Sequence, residues 1–249
     1  MKRALQQTWV VFVRASRPWL RSPVSIVVGL FGPIVYLVLF GPVLDALYPV
    51  KGEAWQWFVP GMLLQLTLFG GAYAGFSITP EIRSGVMERM RVTPASRAGL
   101  LFGRVASDVV QLFVQGVILL GVAALFDFRA DAGAVLAALV LVAGLGAALS
   151  SASYALAIKL KEENKFAPLL SMALVPLLLL SGVLLPMDKA PSWLRTLSEI
   201  NPLAQVANAL RAITSGQYGS QALVGTLVTI GLIVVLGAWG LRTMAREHH

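Results

Sequence analysis

Six apolar stretches, each about as long as a bilayer is thick, dominate this sequence. They occupy residues 24–44, 57–79, 105–126, 132–158, 166–187 and 222–241. A helix needs about 20 apolar residues to cross a hydrocarbon core of about 30 Å, because each residue adds about 1.5 Å. Only 13% of the residues are charged, against about 25% in ordinary soluble domains. The sequence therefore predicts an integral membrane protein with six spans.

These stretches predict helices rather than the strands of a membrane barrel. Barrel strands alternate between apolar and polar residues, whereas these runs are continuously apolar. A helix also satisfies its own backbone hydrogen bonds within lipid. The fold class that we expect is an all-α transmembrane bundle. It forms a single domain over residues 1–249, with the six-helix bundle in residues 24–247.

The basic residues are distributed unevenly over the connections between the spans. Of the 20 Lys and Arg residues, 15 fall in the amino-terminal segment, the connections after spans two and four, and the carboxyl-terminal tail. Short loops that are rich in Lys and Arg remain in the cytoplasm. We therefore expect both termini to be cytoplasmic. The net charge of +8 is explained by this topology and by anionic lipid headgroups, without a nucleic-acid partner.

The sequence lacks the groups that several kinds of chemistry require. It contains no cysteine, and its two histidines are the final residues, His248 and His249. We interpret this pair as the remnant of a purification tag or a disordered tail rather than a metal site. No Gly is followed by Lys, so no phosphate-binding loop of the Walker type is present. We expect neither a metal nor a cofactor in this chain.

Residues 1–23 predict a helix that lies on the cytoplasmic surface of the membrane. The apolar residues from Leu5 to Val13 recur at helical spacing, and basic residues take the other positions. Pro18 should bend or end this helix. Ser22 and Pro23 suit the N-cap and the first helical residue of span one. The alternative is a frayed basic tail that only sets the orientation.

A charged segment at residues 80–97 separates spans two and three. Ile82, Val86 and Met90 recur every four residues, which predicts a short amphipathic helix. The dipeptide Thr93-Pro94 should end it. A helix of about ten residues is marginal alone, so it needs a partner to pack against. The alternative is a solvated run of charges that enforces orientation.

Span three carries a polar stripe, because Arg104, Asp108, Gln111 and Gln115 fall on one helical face. An Asp in mid-bilayer costs about 2.5 to 3.5 kcal/mol, so Asp108 should face the bundle interior or lie near the cytoplasmic end. Two interpretations stay open. Either the stripe lines a pathway or a subunit contact, or it packs between helices near the interface, where Arg104 would hold Asp108.

The segment at residues 188–215 predicts two short amphipathic helices separated by a break at Asn201-Pro202. The apolar faces are formed by Trp193, Leu194, Leu197 and Ile200 before the break, and by Leu203, Val206, Leu210 and Ile213 after it. We expect these helices to re-enter the outer leaflet and to be covered by protein, because unpaired backbone groups in lipid cost several kcal/mol each. A soluble loop is the alternative. Glu199 and Arg211 either pair across the break or face water separately.

Two motifs in this sequence resemble those of type-2 ATP-binding-cassette export permeases, the group that contains daunorubicin-resistance and nodulation-factor exporters. The first motif consists of Glu81, Arg83, Gly85, Glu88, Thr93, Pro94 and Arg97. The second consists of Pro186, Pro191, Trp193, Leu194, Asn201, Pro202 and Arg211. One departure is Val86-Met87, where members of the family often have a Thr-Leu pair. With the six spans and the surface helix, the resemblance covers essentially the whole chain.

The resemblance implies the permease subunit of an ATP-driven exporter in a bacterial inner membrane. Two permease copies, identical or different, would form the pathway, and separate ATPase subunits would bind ATP and Mg. The residues implied to couple to the ATPase are Glu81, Ile82, Arg83, Val86, Glu88, Arg89 and Met90. Those implied at the outer gate are Pro186, Trp193, Leu194, Asn201, Pro202 and Arg211. A mainly apolar pathway favours a drug, a lipid or a lipid-linked glycan as substrate.

Two other functional classes fit the sequence less well. A membrane-embedded hydrolase would need an activated nucleophile, and candidates such as Ser150, Ser151 and Tyr154 have no His partner in the spans. A secondary transporter more often carries ionisable residues in several spans together with internal symmetry. Within the predicted spans, only Asp108 meets that description.

Overall fold

The computed structural model describes residues 2–50, 52–83, 97–160, 163–185, 187 and 190–246. Within these ranges all regular secondary structure is helical, which confirms the all-α fold class. The helices are α1 (Lys2–Arg21), α2 (Pro23–Leu47), α3 (Glu53–Ala72), a 3₁₀-helix (Ala74–Ile78), α4 (Thr79–Arg83), α5 (Arg97–Ala124), α6 (Ala132–Leu160), α7 (Glu163–Leu180), α8 (Ser192–Ile200), α9 (Pro202–Thr214) and α10 (Ser220–Arg246).

Among the described residues, five helical segments are long and apolar enough to cross a membrane. They are Pro23–Leu47, Glu53–Glu81, Ala98–Ala124, Ala132–Leu160 and Ser220–Thr243. They correspond to the predicted spans one to four and six. The predicted fifth span corresponds to a shorter apolar helix, Lys165–Leu180.

Helix α7 ends at Leu180, seven residues before the predicted end of span five at Met187. Gly182 has a φ of 70°, a left-handed conformation that commonly follows the last turn of a helix. The hydroxyl of Ser181 donates to the carbonyl oxygen of Leu178 at 2.6 Å and so occupies an acceptor of that turn. The dipeptide Ser181-Gly182 is therefore a stop signal inside an otherwise apolar run.

Helix α1 packs along α5 rather than projecting as a free tail. The hydroxyl of Ser16 donates to Ser107 Oγ at 3.0 Å, and the indole nitrogen of Trp19 donates to the same oxygen at 3.2 Å. Gly103 allows the close approach, because a Cβ atom there would lie 2.7 Å from the carbonyl oxygen of Thr8. The predicted amino-terminal helix is thus part of the bundle.

The junction between α1 and α2 is a single residue. Ser22 has an extended backbone and Pro23 is the first residue of α2, as the sequence predicts. The side chain of Ser22 makes no capping hydrogen bond. Helix α1 continues through Pro18 to Arg21, so Pro18 does not end it.

Helix α3 lies at the centre of the bundle, where α2, α5, α6 and α9 pack around it. Two glycines, Gly71 in α3 and Gly75 in the following 3₁₀-helix, permit the contact of span two with α6. A Cβ atom at Gly71 would lie 2.8 Å from Leu149 Cβ, and one at Gly75 would lie 2.6 Å from the carbonyl oxygen of Ser153. Both glycines are therefore sites of close helix packing.

Span two is interrupted in its last third. Helix α3 ends at Ala72, the 3₁₀-helix follows, and α4 resumes the α-helical geometry. Ser153 of α6 causes the interruption, because its hydroxyl donates to the Ala72 carbonyl oxygen and accepts from the Gly75 N–H at 2.8 Å. A neighbouring side chain therefore takes up backbone groups that a continuous helix would pair internally.

Two short helices follow α7, as predicted, and Asn201 separates them. Its side-chain oxygen accepts from the Leu203 N–H at 3.0 Å, which caps α9, and its amide nitrogen donates to the Leu177 carbonyl oxygen at 2.8 Å. Most of α9 is buried among α3, α6 and α10. Helix α8 is largely exposed, including Trp193 and Ile200 on its apolar face.

Candidate functional site

Helices α1 and α4 and the first turns of α5 meet at one end of the bundle, called the basic end below. Glu81 of α4 forms an ion pair with Arg104 of α5 and a second one with Arg14 of α1 at 3.4 Å. The side chains of Arg104 and Glu81 are 12% and 23% exposed, whereas that of Arg14 is 60% exposed. One carboxylate thus links three helices. One of the two interpretations of the stripe has Arg104 hold Asp108, whereas the structure shows an ion pair between Arg104 and Glu81.

Only the beginning of the predicted coupling segment belongs to the described part of the chain. Glu81 lies within α4, and its carboxylate is turned toward α1 and α5. The backbone of Ile82 and Arg83 continues α4. The side chains of these two residues lie outside the described structure, as do Val86, Glu88, Arg89 and Met90 in full. Their coupling role stays a prediction.

A cavity of about 210 Å³ opens between span two and α5. It is lined by Gly70, Tyr73, Ala74, Ser77, Asp108, Gln111, Leu112 and Gln115. Three members of the predicted polar stripe therefore face one space, which confirms that they share a face of α5. The remaining member, Arg104, lies one turn closer to the basic end.

The carboxylate of Asp108 is held by a tyrosine of span four. Tyr154 Oη donates to Asp108 Oδ2 at 2.7 Å, and its ring is buried, with 1% exposure. Ser150, buried one turn earlier on α6, places a second hydroxyl near the carboxylate. Tyr154 Oη also lies 3.5 Å from Ser77 Oγ at the cavity wall. Sequence reasoning missed this role of Tyr154, although polar residues cluster at the end of an otherwise apolar span four.

The far end of the stripe makes a contact between helices. Gln115 Nε2 donates to the carbonyl oxygen of Ile26 in α2 at 3.3 Å. Gly29 lies directly against this side chain, since a Cβ atom there would be 2.3 Å from Gln115 Nε2. Gln115 therefore both lines the cavity and bonds to α2, and the two interpretations of the stripe stay predictions. Asp108 and Gln111 face the cavity.

At the opposite end of the bundle, Arg211 of α9 joins three segments. Its Nη2 donates to the Gly182 carbonyl oxygen at 2.7 Å, and its Nε donates to the Trp57 carbonyl oxygen at 3.2 Å. The guanidinium carbon lies 4.5 Å from the centre of the Trp57 ring, in cation–π contact. Glu199 accepts from Arg195 at 3.2 Å within α8.

The residues predicted at the outer gate fall into three groups. Asn201, Pro202 and Arg211 belong to α9 or its cap. The side chains of Asn201 and Arg211 bond to α7 and to the turn after it, whereas Pro202 is exposed. Trp193 and Leu194 lie on the exposed helix α8. Pro186 lies outside the described residues. Among these residues, Asn201 is buried and Arg211 is half-buried, whereas Pro202 and Trp193 are exposed.

A sequence profile of the family described as ABC-2 type transporter matches residues 6–214, from α1 to the end of α9. The chain belongs to the ABC-2 type transporter family. The matched region includes both motifs on which the resemblance rested, so the assignment made from those residues is confirmed.

Relatives of this ABC-2 protein are permeases by name. It is 25% identical over 243 residues to the daunorubicin resistance ABC transporter permease protein DrrB1 of Streptomyces coeruleorubidus, covering 96% of this chain and 86% of that protein. Two proteins that carry the name transport permease ycf38 are similar as well. The one from Cyanophora paradoxa is 25% identical over 85% of this chain and 75% of its own length, and the one from Porphyra purpurea is 26% identical over 78% and 69%.

Family membership makes this chain a membrane subunit of an ABC transporter, of the permease type. It also implies association with ATP-binding-cassette ATPase subunits. The sequence has no phosphate-binding loop of the Walker type, which agrees with ATP binding by separate subunits. With its several apolar helices, the ABC-2 chain is a multi-pass membrane protein.

Proposed function

We propose that this ABC-2 protein is the permease half of an exporter that moves an amphiphilic or hydrophobic molecule out of the cytoplasm or the inner leaflet. The observation that carries the proposal is the position of Glu81. This residue ends the described part of span two, borders the charged segment and is ion-paired to α1 and α5. A force applied to that segment is therefore delivered to three helices.

The direction of transport and the class of substrate are inferred from a relative's name and from the cavity lining. The name of DrrB1 connects that protein with resistance to daunorubicin, which favours export of a drug-like amphiphile by this chain too. The lining of the cavity combines apolar and neutral polar groups with a single carboxylate, as suits an amphiphile. A drug, a lipid and a lipid-linked glycan all belong to this class of substrate.

We place six spans in the membrane, with α7 as the fifth. The 18 residues of α7 amount to about 27 Å at 1.5 Å per residue, slightly less than the hydrocarbon core. Its first turn packs near the basic end, where Phe166 contacts the Phe76 ring edge-on at 4.8 Å between centroids. The turn after α7 reaches Arg211 and Trp57 at the opposite end. Helix α7 therefore runs the length of span two.

This arrangement supports the remaining assignments of topology and assembly. With six spans, both termini lie on the side of the basic end, which the distribution of Lys and Arg makes cytoplasmic in a bacterial inner membrane. Helices α2 and α10 expose long apolar faces. Lipid and a second permease copy, identical or related, would cover these faces, while α8 and α9 would close the outer end.

Coupling to the ATPase would use the short helix expected around residues 82–90. Closure of an ATPase dimer would displace this helix and, through Glu81, bias the bundle between inward-open and outward-open arrangements. Glu81, Ile82, Arg83, Val86, Glu88, Arg89 and Met90 are the residues that we assign to this transmission. ATP and Mg would be held by the ATPase alone.

The test is transport by the reconstituted complex of this chain with its ATPase. Wild-type vesicles should accumulate a fluorescent amphiphile only when ATP is present. Glu88→Ala and Arg83→Ala should abolish transport while membrane insertion and ATP hydrolysis by the ATPase persist, and Arg195→Ala at the opposite end serves as the matched control. Wild-type transport by both coupling variants, or transport driven by an ion gradient without the ATPase, would contradict the proposal.

A further inference from the structure

The Asp108 carboxylate is distinguished by the partners that surround it. Its hydrogen-bond donor, Tyr154, is neutral, and the nearby Ser150 is neutral too. Arg104, one turn away on α5, is engaged by Glu81. Within the part of the chain that the structure describes, no basic side chain forms an ion pair with Asp108. The charge of Arg104 still acts on Asp108, although without an ion-pair contact. A carboxylate inside a membrane bundle is costly, and such residues commonly mark a functional site.

The cavity in front of Asp108 has an aromatic wall. Tyr73 lines the cavity and stacks on Phe69 and Phe76, with ring centroids 6.0 Å and 5.6 Å apart. The electron-rich face of an aromatic ring attracts ammonium groups, most strongly when they are removed from water. Gln111 and Ser77 add neutral oxygen acceptors at the same wall. One carboxylate, an aromatic ring and neutral acceptors together match the requirements of an organic cation.

We propose that this cavity binds the ammonium group of a cationic amphiphile, with Asp108 as its counter-ion and Tyr73 as its aromatic contact. The proposal rests on the exporter function and defines its substrate class more narrowly. The volume of about 210 Å³ is below the range of about 300–1,000 Å³ typical of sites for whole small molecules. The cavity therefore holds the charged end, and the apolar remainder of the amphiphile lies beyond Leu112 along the bundle.

Other ligand classes fit this cavity less well. The charge of Asp108 repels phosphate headgroups and carboxylates. A metal ion would need several ligands, and the described residues contain no group of three or more His, Asp or Glu side chains that could hold one. An alcohol or a sugar could donate a hydrogen bond to the carboxylate, but it carries no positive charge to neutralise that of Asp108.

The test compares two fluorescent probes that differ only at one end. The first is a dansyl group joined by a twelve-carbon chain to a primary amine, and the second has a hydroxyl in place of that amine. Binding to the full chain in lipid nanodiscs, without the ATPase, is followed by energy transfer from tryptophan to dansyl. We expect the amine to bind at least about tenfold more tightly than the alcohol. Equal affinity of the two probes for the wild-type protein would overturn the proposal.

Substitutions of cavity residues test which side chains cause the preference for the amine probe over the alcohol. Asp108→Asn keeps an oxygen acceptor for Tyr154 and should reduce the preference for the amine to less than about twofold. Asp131→Asn, an exposed carboxylate between α5 and α6, should leave it unchanged. Gln111→Glu adds a second carboxylate and should increase it, so the idea remains testable if Asp108→Asn fails to fold. An undiminished preference in folded Asp108→Asn, or no increase in Gln111→Glu, would contradict the assignment.

The aromatic contact has its own matched pair. Tyr73→Phe keeps the ring and should bind the amine within about twofold of the wild type, whereas Tyr73→Leu should lose about fivefold or more. These measurements are independent of export. Amine binding without ATP-driven transport would refute only the exporter function, and transport by a chain that does not distinguish the two probes would refute only the ammonium site.

Discussion

Arg104 of α5 and Glu81 of α4 form an ion pair across the first turns of span three and the last described turn of span two. Both side chains are mostly buried, so water screens their attraction less than it would on the surface. Arg14 reaches the same carboxylate from α1, but it is exposed. The ion pair is therefore one buried link between spans two and three, beside the packing of α3 against α5.

Neutralising this contact should loosen the basic end. Glu81→Gln leaves the Arg104 guanidinium partly buried beside an uncharged amide, and a hydrogen bond involving a charged group contributes about 1.5 to 3 kcal/mol. We expect a lower midpoint of thermal unfolding in detergent. In the reconstituted complex, we expect less transported substrate per ATP hydrolysed.

A double-mutant cycle measures the interaction energy between Glu81 and Arg104 apart from their contacts with other residues. Arg14→Gln removes the more exposed partner and should cost less than about 1 kcal/mol. Exchanging the charges, as Glu81→Arg with Arg104→Glu, should recover part of the lost stability if the two residues act as a pair. Additive losses in the exchanged variant would indicate that the residues act independently.

Close packing at Gly75 should not tolerate a methyl group. In Gly75→Ala, the new Cβ atom would approach the Ser153 carbonyl oxygen to 2.6 Å, and Phe166 lies equally close on another side. Overpacking of this kind typically costs about 1 to 3 kcal/mol. Gly121→Ala, where nothing lies within 4 Å of the added Cβ atom, is the matched control and should lose no stability. The midpoint of thermal unfolding, measured for both purified variants, tests this expected difference in stability.

Arg211 should not be replaceable by lysine. Its guanidinium bonds two carbonyl oxygens while stacking on Trp57, and an ammonium group cannot reproduce this planar arrangement. We expect Arg211→Lys to lower the free energy of unfolding by about 1.5 to 3 kcal/mol. Arg195→Lys alters only an exposed pair within α8 and should cost less than about 0.5 kcal/mol. Similar losses for both variants would mean that the contacts of Arg211 contribute little.

The six-span topology can be read from single-cysteine variants, because the sequence contains no cysteine of its own. Ser192→Cys should react with a membrane-impermeant maleimide applied to intact cells. Glu163→Cys should react only after the membrane is permeabilised, since α7 separates the two positions. Gln217→Cys, between α9 and α10, provides the outward reference. Labelling of positions 163 and 192 from the same side would show that α7 does not cross.

Much of this architecture is predictable from local patterns in the sequence. Span length follows from apolar runs, the junction at Ser22 and Pro23 follows from capping preferences, and the break at Asn201 follows from Asn-Pro. The stripe on α5 follows from helical periodicity, which places Asp108 and Gln111 on one face. In each case, the residues that determine a structural element lie within a few positions of that element in the sequence.

The features that escaped prediction depend on contacts between distant segments. Arg104 has Asp108 one turn away on its own helix, yet its partner is Glu81 on another helix. The sequence suggests Tyr154 only as a candidate nucleophile, because no residue near it in the sequence identifies Asp108 as its hydrogen-bond acceptor. The interruption of span two requires Ser153 from span four. No periodicity within one helix encodes such pairings.

The 3₁₀-helix at Ala74–Ile78 sets the length of span two and the rotation of its end about the helix axis. Five residues rise about 2.5 Å further as a 3₁₀-helix than as an α-helix, at about 2.0 Å against 1.5 Å per residue, and they wind about 100° further around the axis. Rewinding these five residues as an α-helix would draw α4 toward α3 and rotate it about the axis, while the packed part of α3 stays in place. Spin labels at residues 70 and 83 would report the shortening. A small axial displacement of α4 would thus be coupled to a large rotation of that helix.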